Sequence, residues 1–403
     1  MARTVITGMG AVTCAGNSVA ETWRAVRAGK SGFRLQPLGR NGRDGPIGRV
    51  DLSRFDADAP ASSAVFLDPV GKIAIPAVRE ALADAGLDRG AIDPARLGCV
   101  IGTGAGSEHS HDEAAHAYHA RGQSRAHPLT VPRVMISSLA SQVSMAFGIK
   151  GPVFVTSSAC ASAAHAIQMA VLLVQSGAAD AVLAGGSEAC LTDACVTAWR
   201  SMHILASDTC RPFSAGRSGL VLADGAAMVV VESLDHALKR GATIQAEILG
   251  CASSSDAGNI TSPDVDGMAR AMAQAIAQAG IAPQQIDAVN AHGTGTELND
   301  RSECLALDAV LGARAREIPV SATKSVTGHA LGAAPAIELI LSVCTLRDQF
   351  VPPTANHLAA DPACPVDCVP NAGRAQAVRH LISNSFAFGG LNAAIVLRHA
   401  SAV

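Results

Sequence analysis

Three short segments place a nucleophile or a proton-transfer group among glycine and other small residues. SSACASAAHAI contains Cys160, between an apolar run and an alanine-rich stretch. NAHGTGT contains His292, and SATKSVTGHALGAA contains Lys324 and His329. A thiolate attacks carbonyl carbon, and a neutral imidazole ring donates a hydrogen bond to a carbonyl oxygen. These residue types predict nucleophilic attack on a carbonyl carbon.

The nucleophile candidate, Cys160, follows a predicted strand and precedes a predicted helix over residues 161–176. A thiol at a helix N-terminus meets unpaired N–H groups and the positive end of the helix dipole, and both favour the thiolate. Small neighbouring side chains leave room for a thioester. The alternative is a buried cysteine with a structural role, which is the commoner use of this residue.

Polar and glycine-rich turns surround the other candidates. His292 leaves an apolar strand at a run of Gly and Thr, where Thr294 and Thr296 offer hydroxyl groups to a ligand. Lys324 and His329 flank a glycine turn before a long apolar helix, a place that can polarise an oxygen atom. An ordinary turn after a strand and a helix-capping residue are the structural alternatives for these histidines and the lysine.

A fourth segment, NSFAFGGLNAAIVL, carries Phe386 and Phe388 directly before Gly389 and Gly390. Two adjacent glycines bend the chain, and a backbone N–H group exposed by such a bend can act as an oxyanion donor. The alternative for both phenylalanines is a place in the hydrophobic core.

The elements that position these residues alternate between strand and helix in two successive series. The first series lies in residues 1–240 and the second in residues 241–403. They predict an α/β protein of two similar halves with parallel-rich sheets. Helices are predicted over residues 69–86, 133–148, 161–176, 265–280, 300–311 and 330–347.

The composition is that of a packed globular protein, with 49% hydrophobic residues, 16% charged residues and 38 glycines. Because aromatic residues make up 3%, close contacts between elements are expected from small side chains. The net charge of −3 and the lack of a basic run of five or more residues give no indication of a nucleic-acid surface. The sequence has no apolar stretch long enough to span a membrane.

The eleven cysteines are scattered and form no CxxC pair, which argues against a zinc ribbon or a disulfide scaffold. We therefore expect a reducing, cytoplasmic environment. His109, His111, His116 and His119 have no cysteine at ligand spacing, so no metal site is predicted.

Taken in order, the four segments resemble the signature blocks of the elongating β-ketoacyl-(acyl carrier protein) synthases, types I and II. The resemblance runs from VITGMGAVTCAG to AAIVLRH, essentially the whole chain. It implies a thiolase-like, five-layered α/β/α/β/α core of two similar halves, usually a homodimer. It also implies decarboxylative Claisen condensation of an acyl thioester with malonyl-acyl carrier protein. Decarboxylation supplies the carbanion, so no cofactor or metal is implied.

The resemblance assigns a role to each candidate residue. Cys160 would accept the acyl chain, while His292 and His329 would assist decarboxylation of the malonyl donor. Lys324 would be a supporting cation that pairs with Glu303. The N–H groups of Cys160 and Phe388 would form an oxyanion hole, and the ring of Phe388 would gate the acyl pocket. Phe386 and Gly389 would contact the substrate in this pocket, and Thr294 and Thr296 would contact the pantetheine arm.

Some positions depart from the family pattern. Ala387 and Leu391 in the fourth segment resemble synthases of specialised pathways, such as those that make nodulation-signal acyl chains. Ala105 occupies a position that lines the acyl pocket in relatives, where a small residue permits a longer chain. Relatives also carry several basic residues in the segment that corresponds to 62–77, which here contains Lys72. Arg125 and Arg133 are the substitutes expected to receive the carrier protein.

Three alternatives compete with this interpretation. A thiolase would need a second cysteine in the NSFAFGG region, and an initiating synthase would carry Asn where His329 stands. Both are disfavoured. A non-catalytic partner such as a chain-length factor typically lacks the cysteine, so Cys160 argues against it. A heterodimer with a related subunit stays open beside the homodimer.

Overall fold

The computed structural model describes residues 2–39, 42–55, 67–87 and 90–402. The strands are β1 (Thr4–Thr13), β2 (Arg34–Pro37), β3 (Asp44–Ile47), β4 (Leu97–Gly102), β5 (Val153–Thr156), β6 (Ala181–Glu188), β7 (Gly225–Ser233), β8 (Ala246–Ser255), β9 (Ala288–Asn290), β10 (Val320–Ser321), β11 (Phe350–Val351), β12 (Arg374–Ala375), β13 (His380–Ala387) and β14 (Leu391–His399). The α-helices are α1 (Val19–Arg27), α2 (Pro69–Asp84), α3 (Glu108–His119), α4 (Thr130–Val134), α5 (Ser138–Phe147), α6 (Ser162–Gln175), α7 (Asp193–Ser201), α8 (Leu234–Lys239), α9 (Val265–Gln278), α10 (Glu297–Leu311), α11 (Lys324–Thr327) and α12 (Ala334–Asp348).

The main sheet repeats one pattern of strands twice. The first five strands lie in the order β5-β4-β6-β7-β1, and the second five lie in the order β10-β9-β13-β14-β8. In both sets the first two neighbouring pairs are parallel and the last two are antiparallel. The two sets join where the start of β1 pairs with the start of β8. The main sheet is therefore mixed. The expectation of parallel-rich sheets is wrong, because each set of five strands has as many antiparallel as parallel pairs.

Helices separate and cover the two halves of the sheet. The apolar helices α6 and α12 pack against strands of both halves and form the central layer. Helices α2 and α5 cover the outer face of the first half, while α9 packs on the second half and α10 packs on α9. This arrangement confirms the predicted five-layered α/β/α/β/α core of two similar halves.

Small residues allow the layers to approach closely, as the composition predicts. A Cβ atom placed on Gly8 of β1 would lie 2.2 Å from the carbonyl oxygen of Ala81 in α2, and one on Gly10 would lie 2.0 Å from that of Ala77. Any side chain at these two positions would push α2 away from the sheet.

Two predicted helices differ from those in the structure. The helix expected over 133–148 is interrupted between α4 and α5, because Met135 takes an extended conformation. The helix expected over 330–347 begins with a 3₁₀ turn, Leu331–Ala333, and becomes α-helical at Ala334. This turn connects His329 to the central layer.

Candidate active site

Cys160 lies in the turn between β5 and α6. Ala159, directly before it, has a φ angle of 48°, in the left-handed region that residues with a side chain rarely adopt. The Ser162 hydroxyl group holds this turn. It donates to the carbonyl oxygen of Ala159 at 2.7 Å and accepts from the N–H group of Ser158 at 2.9 Å. The strained turn thus holds the thiol in one place.

The thiol of Cys160 is protonated at rest. Burial raises the pKa of Cys160 to about 12, although Lys324 and the backbone N–H groups of Phe388 and Cys160 itself lower it. The expectation of a favoured thiolate is therefore wrong. Helix α6 begins at Ser162, two residues beyond the thiol, and the effect of a helix dipole falls off within a turn. Burial outweighs it, so catalysis needs a group that accepts the thiol proton.

His329 is the group in reach of that proton. Its Nε2 atom lies 3.1 Å from Sγ of Cys160. The backbone of His329 is held by two bonds, because its N–H group donates to Val221 at 2.7 Å and its carbonyl oxygen accepts from Ala223 at 3.0 Å. Burial, followed by the charge of Lys324, holds the pKa of His329 well below its usual range. The ring is therefore neutral and can accept a proton.

His292 faces the same space and, like His329, belongs to the second half of the fold, opposite Cys160. It follows β9, and its ring centroid lies 5.5 Å from that of His329, with the two rings nearly perpendicular. Burial also holds the pKa of His292 well below its usual range, with Lys324 and His329 adding to this. The Lys324 ammonium group lies 3.3 Å from Nδ1 of His292 and donates to that residue's carbonyl oxygen at 2.6 Å. Since an ammonium group has no acceptor, Nδ1 of His292 presents its lone pair, and the ring proton lies on Nε2.

The carboxylate that pairs with Lys324 is Glu338, in α12. The prediction that Lys324 pairs with Glu303 is wrong. Lys324 and Glu338 are both 1% exposed, so each needs the other to offset the loss of water. Glu338 stands in the second turn of α12, where the neighbouring residues of the helix are apolar and buried.

Glu303 instead shapes the turn that carries His292. Its two carboxylate oxygens accept from the N–H groups of His292 and Gly293, each at 2.8 Å. The side chain of Asn384, on β13, donates to the same carboxylate at 3.3 Å. Burial raises the pKa of Glu303 to about 7 despite these bonds. Glu303 therefore positions His292 and does not contact the lysine as an ion pair.

The turn between β13 and β14 brings a backbone donor to the thiol. The N–H group of Phe388 forms a hydrogen bond with Cys160 that lowers the thiol pKa, as does the N–H group of Cys160 itself. Gly389, at φ 82°, allows the turn, and its N–H group donates to the carbonyl oxygen of Ile260 at 2.8 Å. Both N–H groups therefore lie close to Sγ, and their use as an oxyanion hole stays a prediction.

The ring of Phe388 stacks on Trp199 of α7, with centroids 5.9 Å apart and an angle of 22° between the planes. Phe386 lies deeper and meets the ring of His292 edge-on at 6.0 Å. Trp199 was missed by the sequence analysis, since a tryptophan on a short helix has no signal that relates it to a turn almost two hundred residues away.

A cavity of about 340 Å³ joins these groups to the surface. Cys160, His292 and His329 lie on its wall, and the predicted ligand residues Thr294 and Thr296 also line it, with their hydroxyl groups 2.8 Å apart. Among the described residues, the lining does not include Ala105 or Gly389. The prediction that these two residues line the pocket is not supported by this cavity.

Glu188, at the end of β6, is a second residue that the sequence analysis missed. It is fully buried, and its carboxylate accepts from the N–H groups of Gly104, Ala105 and Gly332 at 2.6, 3.1 and 3.0 Å. It thereby ties the loop after β4 to the 3₁₀ turn that follows His329. The signal was an acidic residue directly after an apolar strand, in AVLAGGSE.

Arg125 and Arg133, predicted to receive a carrier, line a smaller groove of about 150 Å³ beside α3 and α4, together with Arg121. Residues 62–66 of the other predicted docking segment lie outside the described residues.

Within the described ranges, no three His, Cys, Asp or Glu side chains are grouped so that they could hold a metal ion. No helix in the described part of the chain has both the length and the apolar character needed to cross a membrane.

Family models match most of the chain. The model of the β-ketoacyl synthase N-terminal domain matches residues 1–237, and that of the C-terminal domain matches residues 245–357. Both halves of the active site, with Cys160 in one and His292 and His329 in the other, fall within these matches.

Individual relatives match over nearly their whole length. Nodulation protein E of a Rhizobium species is 42% identical over 397 residues, which cover 98% of this chain and 99% of that protein. The 3-oxoacyl-[acyl-carrier-protein] synthase 2 of Coxiella burnetii is 36% identical over 416 aligned positions, with 98% of each chain covered. Among solved structures, the ishigamide ketosynthase/chain length factor matches with a TM-score of 0.92 and 32% identity, covering 98% of this chain and 99% of that one.

Proposed function

Because the chain belongs to the β-ketoacyl synthase family, we propose that it extends an acyl chain by decarboxylative Claisen condensation. An acyl group held as a thioester on Cys160 would be joined to the two-carbon unit of malonyl-acyl carrier protein. The observation that carries this assignment is the 3.1 Å contact between Nε2 of His329 and Sγ of Cys160, beside the ring of His292.

In the first half-reaction, Sγ attacks the carbonyl carbon of an acyl thioester. The thiol proton passes to Nε2 of His329 and then to the departing pantetheine sulfur, so one thioester forms as another breaks. The N–H groups of Cys160 and Phe388 hold the oxygen that becomes negative. A protonated resting thiol suits this order of events, because Nε2 of His329 is close enough to take the proton as Sγ attacks.

In the second half-reaction, the malonyl carboxylate leaves as carbon dioxide and its electron pair forms an enolate. Nε2 of His292, which carries the ring proton because of Lys324, donates to the enolate oxygen. His329 donates beside it with the proton on Nε2. Its Nδ1 atom is buried without a hydrogen-bond partner among the described residues, so no neighbour imposes one tautomer. His329 can therefore accept from the thiol and later donate to the enolate.

Carbon–carbon bond formation completes the cycle. The enolate carbon attacks the carbonyl carbon on Cys160, the bond to Sγ breaks, and the thiolate takes a proton from solvent. The product is a β-ketoacyl chain, two carbons longer, on the carrier that brought the malonyl group. The carbon atoms and bonding electrons of the product all come from the two thioesters, and solvent supplies one proton to the thiolate, so no oxidant or reductant is needed.

The alternative is a partner subunit without turnover of its own. The structural match to a ketosynthase/chain length factor pair supports this possibility. The complete set of Cys160, His292, Lys324 and His329 in contact geometry favours an active subunit.

We also propose that two thiolase-like subunits pair through the free edge of β5. This strand ends the sheet, and all four of its residues are partly exposed. The helices that pack on it, α5 and α6, expose Met145 and Leu172. A homodimer is the simplest assembly, and a related subunit could replace one copy. All eleven cysteines are free thiols, which supports a reducing, cytoplasmic location.

The proposed product belongs to a specialised acyl pathway. The identity to nodulation protein E exceeds that to the synthase 2 of Coxiella burnetii, 42% against 36%. This agrees with Ala387 and Leu391, the two departures from the common pattern in the fourth segment.

Intact-protein mass spectrometry tests the assignment. The protein is incubated with hexanoyl, dodecanoyl and palmitoyl thioesters of an acyl carrier protein, and then with malonyl-acyl carrier protein. We expect wild type to gain one acyl group and to lose it when malonyl-carrier is added. Cys160→Ala should gain none, whereas Cys251→Ala, which removes a buried thiol elsewhere, should behave as wild type. If wild type gains no acyl group from any thioester, the partner-subunit alternative is favoured.

A further inference from the structure

Helix α10 carries apolar residues on the side that faces away from the protein. Its inner face buries Glu303, Cys304 and Leu307 against the rest of the second half. On the outer face, Leu298 and Leu305 are 62% and 47% exposed. They are seven residues apart, so they lie on one stripe of the helix, with exposed Arg301 between them.

This stripe begins at the mouth of the active-site cavity. Leu298 lines the cavity, and so does Ile260, which is 73% exposed. The same cavity reaches Cys160, His292 and His329. A thioester carried on an arm must enter here, so the protein that bears the arm must rest on the surface around Leu298 and Ile260.

We propose that the outer face of α10 (Leu298, Arg301 and Leu305), with Ile260, is the surface on which the acyl carrier protein docks. The proposal rests on the function given above, because it requires a substrate delivered on a carrier. It specifies the chemistry of the partner's contact surface. That surface presents apolar side chains around one carboxylate, beside the residue that holds the arm.

The cation of this surface fits such a partner, while exposed Glu297 beside Leu298 carries the opposite charge. Arg301 forms no salt bridge with any described residue, so its guanidinium group is available to a carboxylate from outside. Arginine and leucine at an interface supply one charged contact within an apolar one, and arginine is enriched among the residues that contribute most to affinity.

A second copy of this chain is a less suitable occupant. Helix α10 packs on α9 in the half of the fold whose sheet ends at β10. The free edge of β5, proposed above for subunit pairing, ends the sheet of the other half. A dimer formed through β5 therefore leaves the outer face of α10 open at the mouth of the cavity.

The test compares two substrates that differ in the carrier alone. Acylation of Cys160 is followed with dodecanoyl-acyl carrier protein from bacterial fatty-acid synthesis and with dodecanoyl-pantetheine, for wild type, Leu305→Glu and Arg301→Glu. We expect Leu305→Glu to lower kcat/KM for the carrier substrate roughly tenfold or more, as for a central interface residue. The pantetheine substrate should react at an unchanged rate, because Leu305 lies about two helical turns beyond Leu298 and does not line the active-site cavity. Leu238→Glu, on similarly exposed Leu238 of α8, is the control and should change neither rate.

Each other outcome overturns the proposal. If Leu305→Glu and Arg301→Glu leave carrier kinetics unchanged while Arg125→Glu or Arg133→Glu slows them, the carrier docks on the arginine groove beside α3 and α4. If Leu305→Glu converts a dimer into a monomer by native mass, the face binds a second copy. If neither substrate acylates wild type, the proposed function fails and the docking surface fails with it. If pantetheine reacts and all variants accept the carrier as wild type does, the docking surface alone is wrong.

Discussion

The Lys324 ammonium group lies between the carboxylate of Glu338 and the Nδ1 atom of His292, 3.3 Å from the latter. One buried cation thus connects the central helix α12 to a ring on the wall of the substrate cavity. Because an ammonium group donates hydrogen bonds and cannot accept them, Lys324 orients the ring of His292 and places the ring proton on Nε2. Neither Lys324 nor Glu338 needs to touch substrate for this effect.

Lys324→Met tests this orientation. The ring of His292 would lose the donor that selects its tautomer, and we expect malonyl decarboxylation to slow roughly a hundredfold or more. Acylation of Cys160 should change much less, since that step uses His329. Release of carbon dioxide from malonyl-acyl carrier protein and the acyl mass of the protein measure the two steps separately. Lys239→Met, on the exposed end of α8, is the control. Equal loss in both steps would show that Lys324 supports the whole site and not one ring.

Glu338→Gln tests the buried ion pair. The variant keeps a carbonyl oxygen near Lys324 but removes the charge that offsets a buried ammonium group. Breaking a buried pair costs about 3–5 kcal/mol in the free energy of unfolding. We expect a loss at the lower end of that range in urea unfolding followed by circular dichroism. The control is Glu317→Gln, which breaks an exposed pair with Arg314 and should cost less than about 1 kcal/mol. Similar losses for both variants would contradict the energetic role of the buried pair.

Sequence alone predicted the four reactive segments, because each combines an element boundary with residues that suit an exposed turn. Cys160, His292 and His329 meet as expected, although they come from opposite halves of the fold. The small residues of β1 also meet α2 as the composition predicts. These features depend on local pattern, which is readable along the chain.

The predictions that were wrong concern contacts and burial, which depend on how the elements pack in the folded chain. Glu303 and Glu338 are both acids on buried helices, and spacing does not show which of them reaches Lys324. The protonation of Cys160 is decided by burial, which outweighs the nearby helix terminus. The break before Ser138 lies inside a stretch with helical periodicity, and only the packing of α5 on β4 and β5 shows where the helix begins.

The histidines predict a particular pH profile. Burial lowers the pKa of both His292 and His329 well below the ordinary value of 6.5, so the neutral rings persist below that pH. As pH falls from 8 through 6.5, we expect a partial decline in the rate of malonyl decarboxylation, because the Glu303 carboxyl that positions His292 has a pKa of about 7. The two rings add a second decline only in more acidic solution, where they bind protons. Stopped-flow detection of carbon dioxide on acylated protein measures both declines. A single, complete loss of rate with a midpoint near 6.5 would show that a solvent-exposed ring governs the step.

The rate at which the free Cys160 thiol reacts should rise with pH. Because burial raises the pKa of Cys160 to about 12, the thiolate fraction grows with pH throughout the neutral and mildly alkaline range. We expect alkylation by iodoacetamide, followed by mass, to accelerate continuously between pH 7 and pH 9 without a plateau. Cys160→Ala identifies the labelling of the other cysteines, which is subtracted. A plateau below pH 8 would show that the oxyanion donors outweigh burial.

Trp199 is expected to influence which acyl chains fit. It lines the cavity and stacks on Phe388, so Trp199→Leu removes ring volume from the wall and frees the phenylalanine ring. We expect the ratio of kcat/KM for palmitoyl over hexanoyl carrier substrates to rise roughly tenfold, the effect of a modest change in an apolar pocket.

The matched control for Trp199 is the protein's other tryptophan. Trp23 is 5% exposed and meets Phe350 edge-on at 6.5 Å, and it does not line the cavity. Trp23→Leu should therefore lower the free energy of unfolding by about 2–4 kcal/mol through lost core packing while leaving the chain-length ratio unchanged. If the two variants alter the ratio equally, the change reflects general loosening of the fold. If Trp199→Leu alone alters it, the stacked pair of Trp199 and Phe388 sets the length of chain that reaches Cys160.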